Sequence, residues 1–170
     1  MTGPENLFIY ITLFLIIVLA FLVKKIEWNR IGFNPKPWHK GCLSIFLFSL
    51  GVFILVQFSA NFLKLPDWVT DNDPIFSLLV IVFLQELIFR GLLITWLEKW
   101  GQQKALWIST IIFGLIHLIQ PSSWLITTLS FIGGYFWGWH FLKYRNIYLL
   151  TVSHLIVNLS FNYVILSLLK

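Results

Sequence analysis

The sequence predicts an all-α bundle of membrane-spanning helices, and three observations carry that reading. Of the 170 residues, 58% are hydrophobic and 11% are charged, against about 25% charged in a typical soluble domain. The apolar residues are gathered into long runs and lack the alternation that a membrane barrel needs. The basic residues cluster between those runs, which fits membrane orientation and not nucleic-acid binding.

A spanning helix needs roughly 20 mostly apolar residues. Six segments of a single membrane domain, residues 1–170, fit: about 7–23, 42–63, 75–97, 105–120, 122–142 and 147–169. The first is preceded by Glu5 and by no Lys or Arg, and it is followed by Lys24-Lys25 without a small-residue cleavage site. A retained span therefore suits it better than a secretory signal. Only Gln120-Pro121-Ser122-Ser123 separates the fourth segment from the fifth, so these two form a tight hairpin. The first loop, with Pro35-Lys36-Pro37, has room for a short interfacial piece. The single cysteine, Cys42, permits no internal disulfide.

Orientation follows from the charges. Lys24, Lys25, Arg30, Lys36 and Lys40 lie in the first loop, Lys99 and Lys104 in the third, and Lys143 and Arg145 in the fifth. The second loop carries Asp67, Asp71 and Asp73 instead. The positive-inside rule then places the odd loops in the cytoplasm and both termini outside a cell membrane, in a multi-pass topology. Trp28, Trp38, Trp68, Trp96, Trp100, Trp107 and Trp124 fall in loops or near span ends, as in an interfacial aromatic belt. Gly134 and Gly138, with Gly133 beside them, read as a close helix-packing motif.

Against this apolar background a few polar residues stand out. Gln85, Glu86 and Arg90 lie in the third span, His117 in the fourth, and His154 and Asn158 in the sixth. Glu86 with Arg90, and His154 with Asn158, are spaced i and i+4 and so share a helix face. Gln85 is turned roughly 100° from Glu86. A charged side chain at the centre of a span costs about 2.5–3.5 kcal/mol on insertion scales, so these groups face the bundle interior. One His or Asn alone is often interhelical glue, and Glu86–Arg90 alone can be a structural ion pair. Two histidines, an asparagine, a carboxylate and an arginine on three helices are an expensive form of glue. Thr127, Thr128 and Ser130 read as residues bonded to their own helix backbone, and His140 as interfacial.

In sequence these residues read Gln85-Glu86-Leu-Ile-Phe-Arg90, Phe113-Gly-Leu-Ile-His117 and His154-Leu-Ile-Val-Asn158, with Gly91 after the arginine. The pattern resembles the CAAX protease and bacteriocin-processing (CPBP, or Abi) family of intramembrane endopeptidases. That family carries Glu-Glu-x-x-x-Arg, Phe-x-x-x-His and His-x-x-x-Asn on separate helices. The resemblance runs from the third span to the end of the chain.

The resemblance implies hydrolysis of a peptide or membrane-protein substrate by an activated water, with no covalent intermediate and no cofactor. It assigns His117 to water activation, His154 and Asn158 to the oxyanion, and Arg90 to holding Glu86. The chain departs from the family at one point: the first glutamate of the first motif is Gln85, and a neutral amide cannot accept the water's proton. Three readings of Gln85 stand open: Glu86 is the substitute base, the protein is an inactive relative serving in bacteriocin immunity or as a scaffold, or the glutamine is an introduced substitution that traps an inactive state. Two further readings of the residues remain open. Two His, a Glu and an Asn can ligate a divalent ion, although an amide is a less usual zinc ligand and no His-Glu-x-x-His is present. Intramembrane His and Glu also mark proton or ion paths. Counted from the basic ends of their helices, His117 lies deeper than His154, so a shared site needs a strongly tilted or partly submerged fourth helix.

Overall fold

The computed structural model describes residues 27–34, 38–60, 75–119 and 124–168, together with positions 11, 14 and 18. The first predicted span, the acidic second loop and the 120–123 turn therefore lie largely or wholly outside the described residues. Within them the chain is all-helical. Five helices follow in order: α1 (Trp38–Ala60), α2 (Ile75–Trp100), α3 (Gln102–Ile119), α4 (Trp124–Tyr144) and α5 (Ile147–Leu168). Helices suit these sequences because lipid offers no partner to backbone N–H and C=O groups, so each must be satisfied within its own segment.

Among the described residues, two helical stretches are long and apolar enough to cross a membrane, Gly41–Ser59 within α1 and Ile75–Trp100. They differ in setting. The α1 stretch turns Leu43, Phe46, Leu47, Ile54 and Phe58 outward, a surface that water would oppose and acyl chains would not. The α2 stretch is mostly enclosed by the other helices. One apolar core joins all five, running through Val56 of α1, Ile88 of α2, Phe113 of α3, Phe141 of α4 and Leu150 of α5.

The α3–α4 pair is an antiparallel hairpin, as the short 120–123 connection predicts. Its glycines set the spacing. A Cβ on Gly138 would lie 2.6 Å from Leu106, one on Gly134 would lie 3.2 Å from Phe113, and one on Gly114 would strike the Phe131 ring. The two backbones thus approach through positions with no side chain, as the small-residue pattern predicts. Thr128 and Ser130 donate to the carbonyls of Trp124 and Ile126 four residues back, also as predicted. His140 departs from its interfacial reading. It is fully buried, and its Nε2 lies 3.3 Å from the Gly41 carbonyl of α1. The cause is again a glycine, since a Cβ on Gly41 would sit 2.8 Å from the His140 ring.

α2 is not one regular helix. An α segment (Ile75–Glu86) passes into an eight-residue π segment (Leu87–Ile94), then one α turn (Thr95–Leu97) and one 3-10 turn (Glu98–Trp100). Hydrophobic periodicity gives no warning of this. π segments are rare and are frequent at functional sites. Here the Phe89 carbonyl inside the segment accepts the Ser109 hydroxyl of α3 at 2.9 Å. Gly101, at φ +107°, stops the helix.

The three basic loops meet at one end of the bundle. The turn at residues 28–33 packs Ile31 against Leu87, Leu92 and Ile147, and Ile147 N–H donates to the Gly32 carbonyl at 3.0 Å. Arg30 of the first loop lies 3.8 Å from Glu98 at the end of α2. Arg145, between α4 and α5, also pairs with Glu98 and donates to the Arg30 carbonyl at 3.1 Å. Asn146 caps α5, its Oδ1 accepting from Leu149 N–H at 3.1 Å.

Gly91 makes this docking possible. A Cβ there would fall 2.8 Å from the Ile31 carbonyl oxygen, a backbone atom with little freedom to yield. Gly91→Ala is expected to cost about 1–3 kcal/mol of stability, the usual range for overpacking. Unfolding in a fixed detergent measures that cost. Faster proteolysis near residues 27–34 would show the loop displaced.

Candidate active site

Arg90 of α2, His117 of α3 and His154 of α5 gather around the Phe113 ring, with α4 against them through Trp137. Glu86 ends the α segment of α2 and Arg90 lies in the π segment; their side chains are 0% and 1% exposed. Arg90 Nη1 stands 3.3 Å from Glu86 Oε1. The same oxygen accepts from His154 Nδ1 of α5 at 2.7 Å. One carboxylate oxygen therefore joins the first motif to the third.

Arg90 is enclosed by aromatic rings. Its guanidinium carbon is 4.2 Å from the Phe113 centroid and 5.5 Å from that of Trp137, within range of a cation–π attraction. Its Nη2 points to the Gly134 carbonyl at 3.5 Å, the backbone of a residue whose lack of a side chain lets α3 and α4 close up. Glu86 Oε2 and Arg90 Nε make no hydrogen bond among the described residues. Both are fully buried, so the site holds unused capacity to accept and to donate.

The second motif meets the others through its phenylalanine. The Phe113 ring lies 4.6 Å from the His117 ring on one side and 5.9 Å from the His154 ring on the other. His117 is within electrostatic reach of both His154 and Arg90. Its Nδ1 is 2.9 Å from the Phe113 carbonyl. A carbonyl only accepts, so the proton resides on Nδ1 and Nε2 is the basic nitrogen.

Gln85 is buried beside Glu86, at the junction of the α and π segments. Asn158 is half-buried, one turn beyond His154 on α5. The depth mismatch between the histidines is thus resolved: α3 and α5 bring His117 and His154 to the same neighbourhood. No group of three or more His, Cys, Asp or Glu able to hold a metal ion occurs among the described residues.

One contact was not anticipated from the sequence. Trp137 of α4 stacks on His154, with centroids 4.2 Å and planes 24° apart. A signal was available. Unlike the seven tryptophans placed in loops or near span ends, Trp137 sits in the middle of an apolar run, between Gly133-Gly134 and Gly138.

Comparison with known proteins bears on the family of the chain. Residues 73–160, just over half of the chain, match the model of the type II CAAX prenyl endopeptidase Rce1-like family. The chain belongs to this family. The matched region contains all three motifs, from Gln85 to Asn158. The Bacillus subtilis (strain 168) protein YpbD is 31% identical over 91 residues, covering 51% of this chain and 42% of YpbD. The chain thus aligns with less than half the length of that relative. No solved structure matches. Family membership and the two long apolar helices together identify a membrane protein.

Proposed function

We propose that this protein is an intramembrane endopeptidase of a cell membrane, which hydrolyses a peptide bond in a peptide or membrane-associated substrate using a water activated at the Glu86–His117–His154 cluster. The observation that carries the proposal is the Glu86 Oε1 atom, shared between Arg90 at 3.3 Å and His154 Nδ1 at 2.7 Å. That contact ties the first motif to the third at the centre of an apolar bundle.

Roles follow from proton positions. His117 Nε2 is the base, because its Nδ1 proton is committed to the Phe113 carbonyl. Glu86 orients His154 through Oε1. Asn158 donates its amide to the developing oxyanion. His154 reaches the same oxyanion through Nε2 only when that nitrogen also carries a proton, because Nδ1 already donates to Glu86. Gln85 orients the water without accepting its proton. Six spans, both termini outside and a cytoplasm-facing cavity complete the proposal. The meeting of Arg30, Glu98 and Arg145 supports it, since three loops of the same predicted side converge there.

Cleavage of peptides by the purified protein in liposomes is the test. His117→Ala and His154→Ala are each expected to lower it by about 10²-fold or more, the range for losing a general acid–base group. Cleavage is expected to persist in EDTA. Loss that added zinc restores would replace the histidine base by a metal-bound water.

A second reading is favoured by Gln85 itself: an inactive family member that acts in immunity or as a scaffold. Under it, folded His117→Ala and His154→Ala variants keep the full biological effect. Retention in both would displace the peptidase reading.

A further inference from the structure

α4 carries none of the three motifs, yet it lays an aromatic plate against one of their residues. The buried Trp137 indole stacks on the His154 imidazole. Its N–H donates to Ser153 Oγ at 3.0 Å. Ser153 Oγ shares a hydrogen bond with Ser49 Oγ of α1 at 2.9 Å. Both serines are buried. The indole is therefore tied to α5 and, through one more hydroxyl, to α1.

Its seat is also prepared. Helical side chains lean toward the preceding turn, and the residue four positions back is Gly133. A Cβ there would stand 2.8 Å from the indole Cζ3. The edges of Phe48 and Phe113 close the surround, with centroids at 5.8 and 6.3 Å.

A histidine ring has two torsions, and the second is broad. The Glu86 bond restrains one ring atom, Nδ1, but leaves the ring able to pivot about that contact. A flat surface against the ring face removes the pivot. The direction of Nε2 then follows from the two restraints together.

We propose that Trp137 is a positioning residue for His154: its indole, locked by Ser153 and Ser49 and seated over Gly133, fixes the plane in which His154 presents Nε2 to the reacting group. The restraint of the ring stands on the contacts alone. Its effect on turnover rests on the peptidase reading.

The test uses the full-length protein in detergent micelles with isotopically labelled histidine, as wild type, Trp137→Leu, Trp137→Phe and Ser153→Ala. The His154 ring signals are identified by their loss in His154→Gln. Wild type is expected to show one Nδ1–H tautomer with a slowly exchanging ring proton. Trp137→Leu is expected to show averaged tautomers and faster exchange, Ser153→Ala an intermediate state, and Trp137→Phe, which keeps a ring face, a near-normal signal. In peptide cleavage, Trp137→Leu is expected to lower kcat by about tenfold to hundredfold with KM changed by less than about twofold, the pattern of a misplaced catalytic group. Trp137→Phe should restore most of that loss.

An unchanged His154 signal in folded Trp137→Leu overturns the proposal, even where kcat falls. Should that variant not fold, a wild-type His154 signal in Ser153→Ala overturns it instead. A rise in KM alone overturns it too. A wild type without peptidase activity whose His154 signal still moves in these variants sinks the peptidase reading and sustains the positioning role.

Discussion

Arg90→Met is expected to lower the unfolding free energy by about 3–5 kcal/mol, the cost of removing one partner from a buried ion pair. Thermal or denaturant unfolding in one fixed detergent measures it. Methionine keeps much of the arginine's volume and retains favourable contact with the Phe113 and Trp137 rings. The loss therefore reports charge rather than packing. Glu86 would be left fully buried, with the neutral His154 Nδ1–H as its hydrogen-bond donor. The double variant Glu86→Leu with Arg90→Met removes both charges and is expected to be more stable than Arg90→Met alone. A double variant less stable than the single would mean that Glu86 stabilises the bundle more through His154 than through Arg90.

Gln85→Glu is expected to raise peptide cleavage by about 10²-fold or more, in line with the worth of a positioned general base. The position adjoins Glu86 at the start of the π segment, and the change restores the acidic pair that the family carries. A carboxylate here can accept the water's proton or strengthen His117 as its acceptor. Wild-type protein that already cleaves as well as the glutamate variant would show that His117 needs no carboxylate. No cleavage by either form, with both folded, would favour the immunity or scaffold reading.

Much of the site was legible in the sequence because membranes penalise polarity. Glu86, Arg90, His117 and His154 each interrupt an apolar run, and helical spacing alone put Glu86 with Arg90 on one face. The α3–α4 hairpin was legible from the four-residue connection at 120–123, and its close packing from the Gly134 and Gly138 spacing. Other features left no such trace. The π segment has an ordinary apolar composition, and the register of its hydrogen bonds depends on partners such as Ser109 and Ile31 that are distant in sequence. His140 read as interfacial because Lys143 is near it in the chain; the Gly41 contact that buries it lies 99 residues away. Trp137 carries no polar signal, because an aromatic residue in an apolar span is ordinary membrane composition.

The π segment gives α2 a reserve of length. Eight residues with wide turns lie between a buried carboxylate, Glu86, and an anchoring one, Glu98, which holds Arg30 and Arg145 at the loop end. Wide turns spend more residues on each rotation than α turns do. Deleting one residue between Leu87 and Ile94 with relaxation to ordinary α winding therefore leaves Glu86 and Glu98 close to their present directions. A deletion in the regular α segment, Ile75–Glu86, has no such slack, and displaces what precedes it by about 100° and 1.5 Å relative to Glu86. Among relatives, a one-residue gap in this helix should therefore fall within residues 87–94 and not before them.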